Sequence, residues 1–264
     1  MQEKMTMLIL SCDKFSDLWD GHVKQLEKHW PDREMKTCIV TDRPTSKVYK
    51  NVNIISAGEG VEWSDRLLYA LSQVDTEYVF ITLDDYFLIK DVSTGDMCKL
   101  LEMMDVEHFD YVRLFKRPTS ATGRPVDGYP GVFYVDSSQP YSVNLYSGIW
   151  KKDFLKTCVE RPLNPWQFEV SLPQMACTYG AKCAVSNKQD FVILDVVRKG
   201  KLLHNSYYYF KRHPGIYTGS REVNSWGYEF RLGVKTLVRR YTPPVVYNAI
   251  KRVMRRFGYQ FFSE

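Results

Sequence analysis

The chain has no apolar run approaching the ~18–20 residues of a membrane-spanning helix. Its six cysteines (Cys12, Cys38, Cys98, Cys158, Cys177 and Cys183) include no Cys-x-x-Cys pair and no spacing with His suited to zinc, which argues against a structural zinc module. Several lie inside apolar stretches, as in TCIV around Cys38, and are expected as buried free thiols in a reducing compartment. Met1-Gln2-Glu3-Lys4 opens no signal peptide, and no internal repeat or low-complexity segment follows. These absences point to a cytoplasmic, soluble protein. Acidity is scarce at one end: residues 225–264 hold eight Lys and Arg against two Glu, a net +6. The whole chain carries +5, so residues 1–224 sum to −1 and the basicity belongs to the tail.

What is present suits a globular domain with a real core. The chain has 264 residues, 44% of them hydrophobic and 25% charged. Aromatic residues make up 14%, with 18 Tyr, a composition that supplies flat amphipathic walls to a site. Met5–Ser11 reads as a first strand, followed by the polar loop CDKFSD. Leu18, Val23, Leu26 and Trp30 mark an amphipathic helix that stops at Pro31. Lys36–Thr41 reads as a second strand ending at Asp42, with a short third near Val52–Ile55. Ser64–Val74 reads as a helix capped by Ser64. This alternation predicts βαβ units and a mainly parallel sheet. The later part is less regular. It predicts helices over Ser93–Met104, Lys152–Val159 and Trp166–Tyr179, the last interrupted by Pro173. Further strands are expected at Tyr111–Phe115, Ala181–Ser186 and Phe191–Leu194, with Val132–Val135 pairing antiparallel to Ser142–Leu145. Pro118–Gly131 reads as a loop.

The most informative stretch is EYVFITLDDYFLIK, residues 77–90. Val79, Phe80, Ile81 and Leu83 have the pattern of a strand buried on both faces, and the run ends in two adjacent carboxylates, Asp84 and Asp85. Unpaired carboxylates are costly to bury, so the pair belongs at the open end of the strand, at a cation, or both. In open α/β sheets that end forms the ligand crevice. A simple Asp-Asp turn is the alternative.

Four stretches carry a resemblance: SCDKFSDLWDGHVKQLEKHWPD, VEWSDRLLYALSQVDTEYVFITLDDYFL, YSVNLYSGIWKKDFL and PLNPWQFE. Over roughly residues 5–210 the chain resembles GT-A-fold glycosyltransferases that use nucleotide-sugar donors, especially bacterial enzymes of capsule, O-antigen or exopolysaccharide assembly. The resemblance implies a Rossmann-like, mainly parallel sheet flanked by helices over residues 1–224, with a basic helical tail over 225–264. It implies an acidic motif at the end of a central strand that holds Mn²⁺ or Mg²⁺ on the donor diphosphate. That motif is usually Asp-x-Asp, whereas here it is Thr82-Leu83-Asp84-Asp85-Tyr86. The expectation is Asp85 as metal ligand, with Asp84 contacting the donor sugar or orienting its neighbour.

By the same resemblance, Ser11, Cys12, Asp13 and Asp42 approach the base and ribose of a donor expected to carry UDP. Asp65 and Arg66 open the Ser64 helix, whose N–H groups and dipole favour an anion, so Arg66 is expected near the diphosphate. An inverting transferase needs a carboxylate base for the acceptor hydroxyl, and Glu169 in NPWQFE is the candidate, with Trp166 and Phe168 as stacking walls that desolvate it. Asp153 is a weaker candidate. His204 is expected as an additional metal ligand, while His22 and His29 are structural or exposed.

Beyond Thr242-Pro243-Pro244, a helical wheel gathers Val246, Ile250, Val253, Met254 and Phe257 on one arc and Lys251, Arg252, Arg255 and Arg256 on the other. This reads as peripheral contact with an anionic membrane at the inner face of the cell membrane, where a glycan or lipid-linked glycan acceptor would be met. Nucleic acid is not an expected partner, since no recognisable binding motif accompanies the charge. Two other readings remain: a nucleotidyltransferase, though SCDKFSD lacks a Gly-rich loop, and a non-catalytic glycan-binding or membrane-scaffold protein of the same fold.

Overall fold

The structure, a computed structural model, describes residues 1, 3–114, 122–139, 141–159, 163–188 and 190–241. The first third alternates as the pattern requires: β1 (Met5–Leu10), α1 (Ser16–His29), β2 (Thr37–Thr41), β3 (Asn53–Ser56), α2 (Trp63–Ser72) and β4 (Tyr78–Leu83). Next come β5 (Tyr86–Leu88), α3 (Thr94–Glu107), β6 (Tyr111–Arg113), β7 (Thr122–Pro125), β8 (Val132–Val135), β9 (Gly148–Lys151), α4 (Lys152–Cys158) and α5 (Pro165–Thr178). The last elements are β10 (Cys183–Ser186), β11 (Ile193–Asp195), β12 (Val197–Arg198), β13 (Lys201–Leu202), α6 (His204–Arg212) and α7 (Trp226–Tyr241).

Among the described residues, nine strands form one sheet in the order β3-β2-β1-β4-β9-β6-β10-β8-β7. The block β3-β2-β1-β4 is parallel, with Leu8 opposite both Cys38 and Ile81. β9 runs antiparallel between β4 and β6, β10 is parallel to β6, and β8 and β7 continue antiparallel. Because side chains alternate across a strand, β4 feeds two cores. Phe80 joins Trp19, Trp30, Met97, Phe109 and Phe191 beneath α1 and α3. Val79 and Ile81 join Leu67, Leu71, Trp150, Phe154 and Phe168 beneath α2, α4 and α5. Helices on both faces explain why β1 is buried at all six positions.

Several expectations are corrected. The run through Asp84 is not one strand: it breaks at Asp84-Asp85 into β4 and β5, and β5 leaves the main sheet to pair with β11. β4 is parallel to β1 but antiparallel to β9, so it is not parallel on both sides. Ser64 does not cap α2; Glu62 occupies that position, and the buried Ser64 Oγ accepts from the Leu163 N–H at 3.0 Å. Ser142–Leu145 is not a strand. Tyr141 has a left-handed φ of 60°, and Asn144 bonds both the Tyr141 carbonyl and the Tyr146 N–H, which folds the segment into a loop. α5 continues through the buried Pro173. Cys98 and Cys177 are exposed, while Cys38, Cys158 and Cys183 are buried free thiols as expected.

One close approach fixes α1. A Cβ on Gly21 would lie 2.2 Å from the Ile216 carbonyl oxygen and 2.8 Å from Phe87 Cε2. Gly21→Ala is therefore expected to destabilise the protein by about 1–3 kcal/mol through overpacking, read as a lower urea midpoint at unchanged slope.

Candidate functional site

The sheet order creates the site. Chain entering β1 continues outward to β2 and β3, whereas β4 lies on β1's other side, so a crevice opens where the carboxyl ends of β1 and β4 diverge. Ser11 follows β1 and Asp84 follows β4. Ser11 Oγ donates to Asp84 Oδ2, Trp19 Nε1 donates to Ser11 Oγ at 2.7 Å, and the Asp84 N–H bonds the Leu10 carbonyl at 3.2 Å.

Asp13, Asp42 and Arg66 converge beside Ser11. The Asp13 N–H donates to Asp42 Oδ1 at 2.7 Å, and Arg66 Nη1 lies 3.6 Å from the same oxygen while donating to the Ser11 carbonyl at 3.2 Å. Burial opposes ionisation of Asp42, but the Asp13 and Asp42 backbone N–H groups and the Arg66 charge outweigh it and hold the carboxyl below its usual range. Arg66 Nε is buried without a hydrogen-bond partner. Burial and the charges of Asp84 and Asp42 push the Cys12 thiol up, so it remains protonated beside them. Asp65 is exposed on the first turn of α2.

A cavity of about 510 Å³ adjoins this cluster, lined among others by Lys14, Trp63, Asp84, Asp85, Tyr86, Tyr146, Trp166, Glu169, Asp195, Arg198 and Lys199. Glu169 reaches it through a specific helix start. Asn164 Oδ1 accepts from the Gln167 N–H, Gln167 Oε1 accepts from the Asn164 N–H, and Pro165 fits the first turn. That phase buries Phe168 completely against Trp63, with ring centroids 5.1 Å apart, and leaves Trp166 71% exposed at the cavity. Glu169, next along the helix, lines the same cavity. Tyr86 and Tyr146 stack at 5.5 Å in its wall.

Burial raises both neighbouring carboxyls. Asp84 is pushed up to about 7, with Ser11 and Arg221 opposing the shift. Asp85 is raised well above its ordinary value by burial, then by the charges of Asp84 and Asp195, with Arg198 opposing. Asp85 Oδ1 and Asp195 Oδ1 are buried without hydrogen-bond partners. Orphaned carboxylate oxygens in a polar crevice are the donor set of a hard divalent cation, which would supply the missing counter-charge. Among the described residues, no three His, Cys, Asp or Glu side chains form a ready-made metal cage. One or two carboxylates with water and substrate phosphates are enough for Mg²⁺ or Mn²⁺, so the residues fit such an ion.

His204 stands elsewhere than expected. It opens α6, its Nδ1 is 2.7 Å from Glu229 Oε1, and its ring stacks on Trp226 at 3.6 Å; it is not part of the cavity lining. Asp153 is exposed on α4. His29 is buried and bonds Asp91 at 2.7 Å.

His22 is buried behind Asp84, and its Nδ1 donates to the Asp84 carbonyl at 3.2 Å. Desolvation lowers its pKa from 6.5 to about 4, so the ring is neutral near pH 7. Below pH 6.5 the unfolded chain takes up a proton that the folded one refuses, so stability falls as pH falls from 6.5 towards 4. The loss from this group is up to roughly 3 kcal/mol. His22→Gln is expected to flatten the acid side of the urea-midpoint profile by that amount.

Asp195, Arg198, Lys199, Lys14 and Arg221 were not singled out from the sequence. Asp195 pairs with Tyr86 across the β11–β5 ladder, and Arg198 Nη2 donates to Asp195 Oδ2 at 2.6 Å. The Phe191–Asp195 stretch, FVILD, repeats the grammar of an apolar run ending in a carboxylate, a usable signal. Lys199 and Gly200 turn the β12–β13 hairpin with left-handed φ of 52° and 79°. Arg221 bonds both Asp17 oxygens, the Gly200 carbonyl and the Lys14 carbonyl, which seats the hairpin tip and Lys14 together. No local signal announces Arg221, which lies far along the chain from Asp17.

Lys251, Arg252, Arg255 and Arg256, with the rest of the expected tail helix, lie outside the described residues.

No protein-family model matches this chain, and no curated protein matches its sequence. Solved structures do match. Mannosyltransferase PcManGT from Pyrobaculum calidifontis, in complex with GDP-Man and Mn²⁺, is 11% identical over 76% of this chain and 59% of its own, with a TM-score of 0.51. S. aureus TarS 1–349, in complex with UDP-GlcNAc, is 14% identical over 75% of this chain and 60% of its own, with a TM-score of 0.50. The chain therefore spans about three fifths of the length of each. At this identity the likeness carries the fold: an α/β protein with a large central sheet flanked by helices, of GT-A, Rossmann-like type.

Proposed function

We propose that this chain is a glycosyltransferase that moves a sugar from a nucleotide-diphosphate donor, with UDP-sugar preferred, to a glycan or lipid-linked glycan acceptor. The carrying observation is the shared cavity: Asp84 and Asp85 at the β1/β4 switch point and Glu169 line one space. The donor complexes of two proteins with this fold, one holding UDP-GlcNAc and the other GDP-Man with Mn²⁺, support the donor class and a divalent cation.

In this reading Ser11, Cys12, Asp13, Asp42 and Arg66 receive the nucleoside, with Asp65 at the rim, and Asp84 orients the donor sugar. Asp85, with Asp195 as neighbour, holds Mn²⁺ or Mg²⁺, which when bound offsets charge on the leaving diphosphate. Lys14, Arg198 and Lys199 add fixed positive charge to the same wall. Glu169 takes the acceptor hydroxyl proton as that oxygen bonds the anomeric carbon. The bond from this carbon to the diphosphate breaks, the nucleoside diphosphate leaves with the electron pair, and the configuration inverts. His204 holds Glu229 and with it the start of α7. The acceptor is met at an anionic membrane surface, reached by the basic tail carrying Lys251, Arg252, Arg255 and Arg256.

The test is thermal stability against nucleotides and nucleotide sugars, with and without Mn²⁺. A selective ligand stabilises by mass action, about 2.7 kcal/mol at 100 times its Kd. A Mn²⁺-dependent shift with one nucleoside diphosphate is expected; no shift with any of them overturns the donor reading.

A further inference from the structure

Among the described residues, α7 is held at its start: the Trp226 ring stacks on His204 at 3.6 Å, so that one edge of this side chain is packed although 64% of it is exposed. Glu229 Oε1 accepts from the His204 N–H at 2.9 Å and bonds its ring, while Lys199 Nζ lies 5.6 Å from the Tyr228 ring centroid. Just upstream, Asn224 Nδ2 donates to the carbonyls of Arg198, Lys201 and Leu202, so the start of α7 is tied to the hairpin that lines the cavity. A second set, Trp226, Phe230, Val234 and Leu237, recurs at helical spacing and falls on a different arc from Tyr228 and Glu229. These four are 64%, 73%, 41% and 54% exposed. A continuous apolar stripe in water marks a contact surface.

The charges say what covers it. The helix also carries Arg231, Lys235, Arg239 and Arg240, against Glu229 alone, and Glu229 is engaged by His204. A second copy of this chain would bring like charges together on association, whereas an anionic bilayer attracts them. A helix with an apolar stripe and cationic residues lies in the bilayer interface with its apolar side among the acyl chains.

We propose that α7 docks this protein on an anionic lipid surface through Trp226, Phe230, Val234 and Leu237, and so holds the Lys199-bearing rim of the cavity next to the membrane. The proposal rests on the reading of a membrane-borne acceptor but is tested without donor or acceptor. The full chain is sedimented with vesicles of phosphatidylcholine containing phosphatidylglycerol, and with pure phosphatidylcholine. Binding is expected only to the anionic vesicles and should weaken with salt. Phe230→Ser with Leu237→Ser is expected to lower partitioning at least about tenfold. Arg231→Gln with Lys235→Gln is expected to lower it by a similar factor or more. Quenching of fluorescence by bromolipids should diminish in Trp226→Phe.

Phe230 and Leu237 are 73% and 54% exposed and Trp226→Phe keeps an aromatic ring against His204, so an unchanged circular dichroism spectrum certifies each variant. Undiminished partitioning of the Phe230/Leu237 variant overturns the proposal, as does equal binding to neutral vesicles. A dimer seen by light scattering that the same substitutions dissociate overturns it in favour of a second copy. The Mn²⁺-dependent nucleotide shift stands or falls separately, so failure of docking is distinguishable from failure of the transferase reading.

Discussion

Asp85→Asn is expected to abolish detectable transfer while leaving the ligand-free protein as stable as before, or more so. Asp85 is partly buried beside Asp84 and Asp195, and its Oδ1 is buried without a hydrogen-bond partner. Burial and the charges of Asp84 and Asp195 disfavour the Asp85 carboxylate, and only Arg198 and the Asp85 backbone N–H oppose this. Removing one charge while keeping its shape relieves that repulsion. Functional sites commonly hold such destabilising arrangements, and relaxing one gives on the order of 1 kcal/mol. For a chain of this size that raises the melting temperature by roughly 2–4 °C. The same change removes an anionic ligand for the cation, so turnover should drop by at least about 10³. The Mn²⁺-dependent thermal shift with a nucleoside diphosphate should vanish with it. A variant that loses activity together with several degrees of stability would instead mark Asp85 as structural. One that retained the Mn²⁺-dependent shift would move the ligand role to Asp84 or Asp195.

Glu169→Gln is expected to lower kcat by about 10²–10⁴, the usual contribution of a positioned general base. Donor binding should survive. Glu169 rises from α5, whose phase is set by the Asn164–Gln167 capping box and by Phe168 buried on Trp63. The Asp42–Arg66 cluster belongs to different elements. The donor-induced thermal shift and the donor KM should therefore change little, a split that a merely structural role would not produce. Near-normal kcat in this variant would refute the base assignment, and Asp195, which lines the same cavity, would then be the carboxylate to replace.

Local physics made the parallel block legible. β1, β2 and β4 are short apolar runs closed by polar residues, and α1 has the 3.6-residue period of a helix covering a sheet, so their existence follows from periodicity alone. Asp84 and Asp85 stood out because carboxylates ending a doubly buried strand need a reason. Boundaries and pairings were less accessible. Ser64 looks like a helix cap, yet it binds the Leu163 N–H, a partner 99 positions away. Ser142–Leu145 has strand-like composition, but the side chain of Asn144 bonds its own neighbours and folds the segment back. Pro173 reads as a breaker, but it is buried in the α5 packing and the helix runs on through it.

By itself, then, the sequence determined the alternating elements, the acidic strand end and the basic character of residues 225–264. Each is a property of composition or of neighbours within one element, where short-range sterics and burial dominate. The tertiary structure alone decided that Asp195 stands against Asp85, that Arg221 joins Asp17 to the hairpin tip, and that His204 turns to Glu229. Those contacts depend on strand order and on chain segments that meet only after the sheet has formed. No local period encodes them, because their energy comes from pairing groups that are remote in sequence.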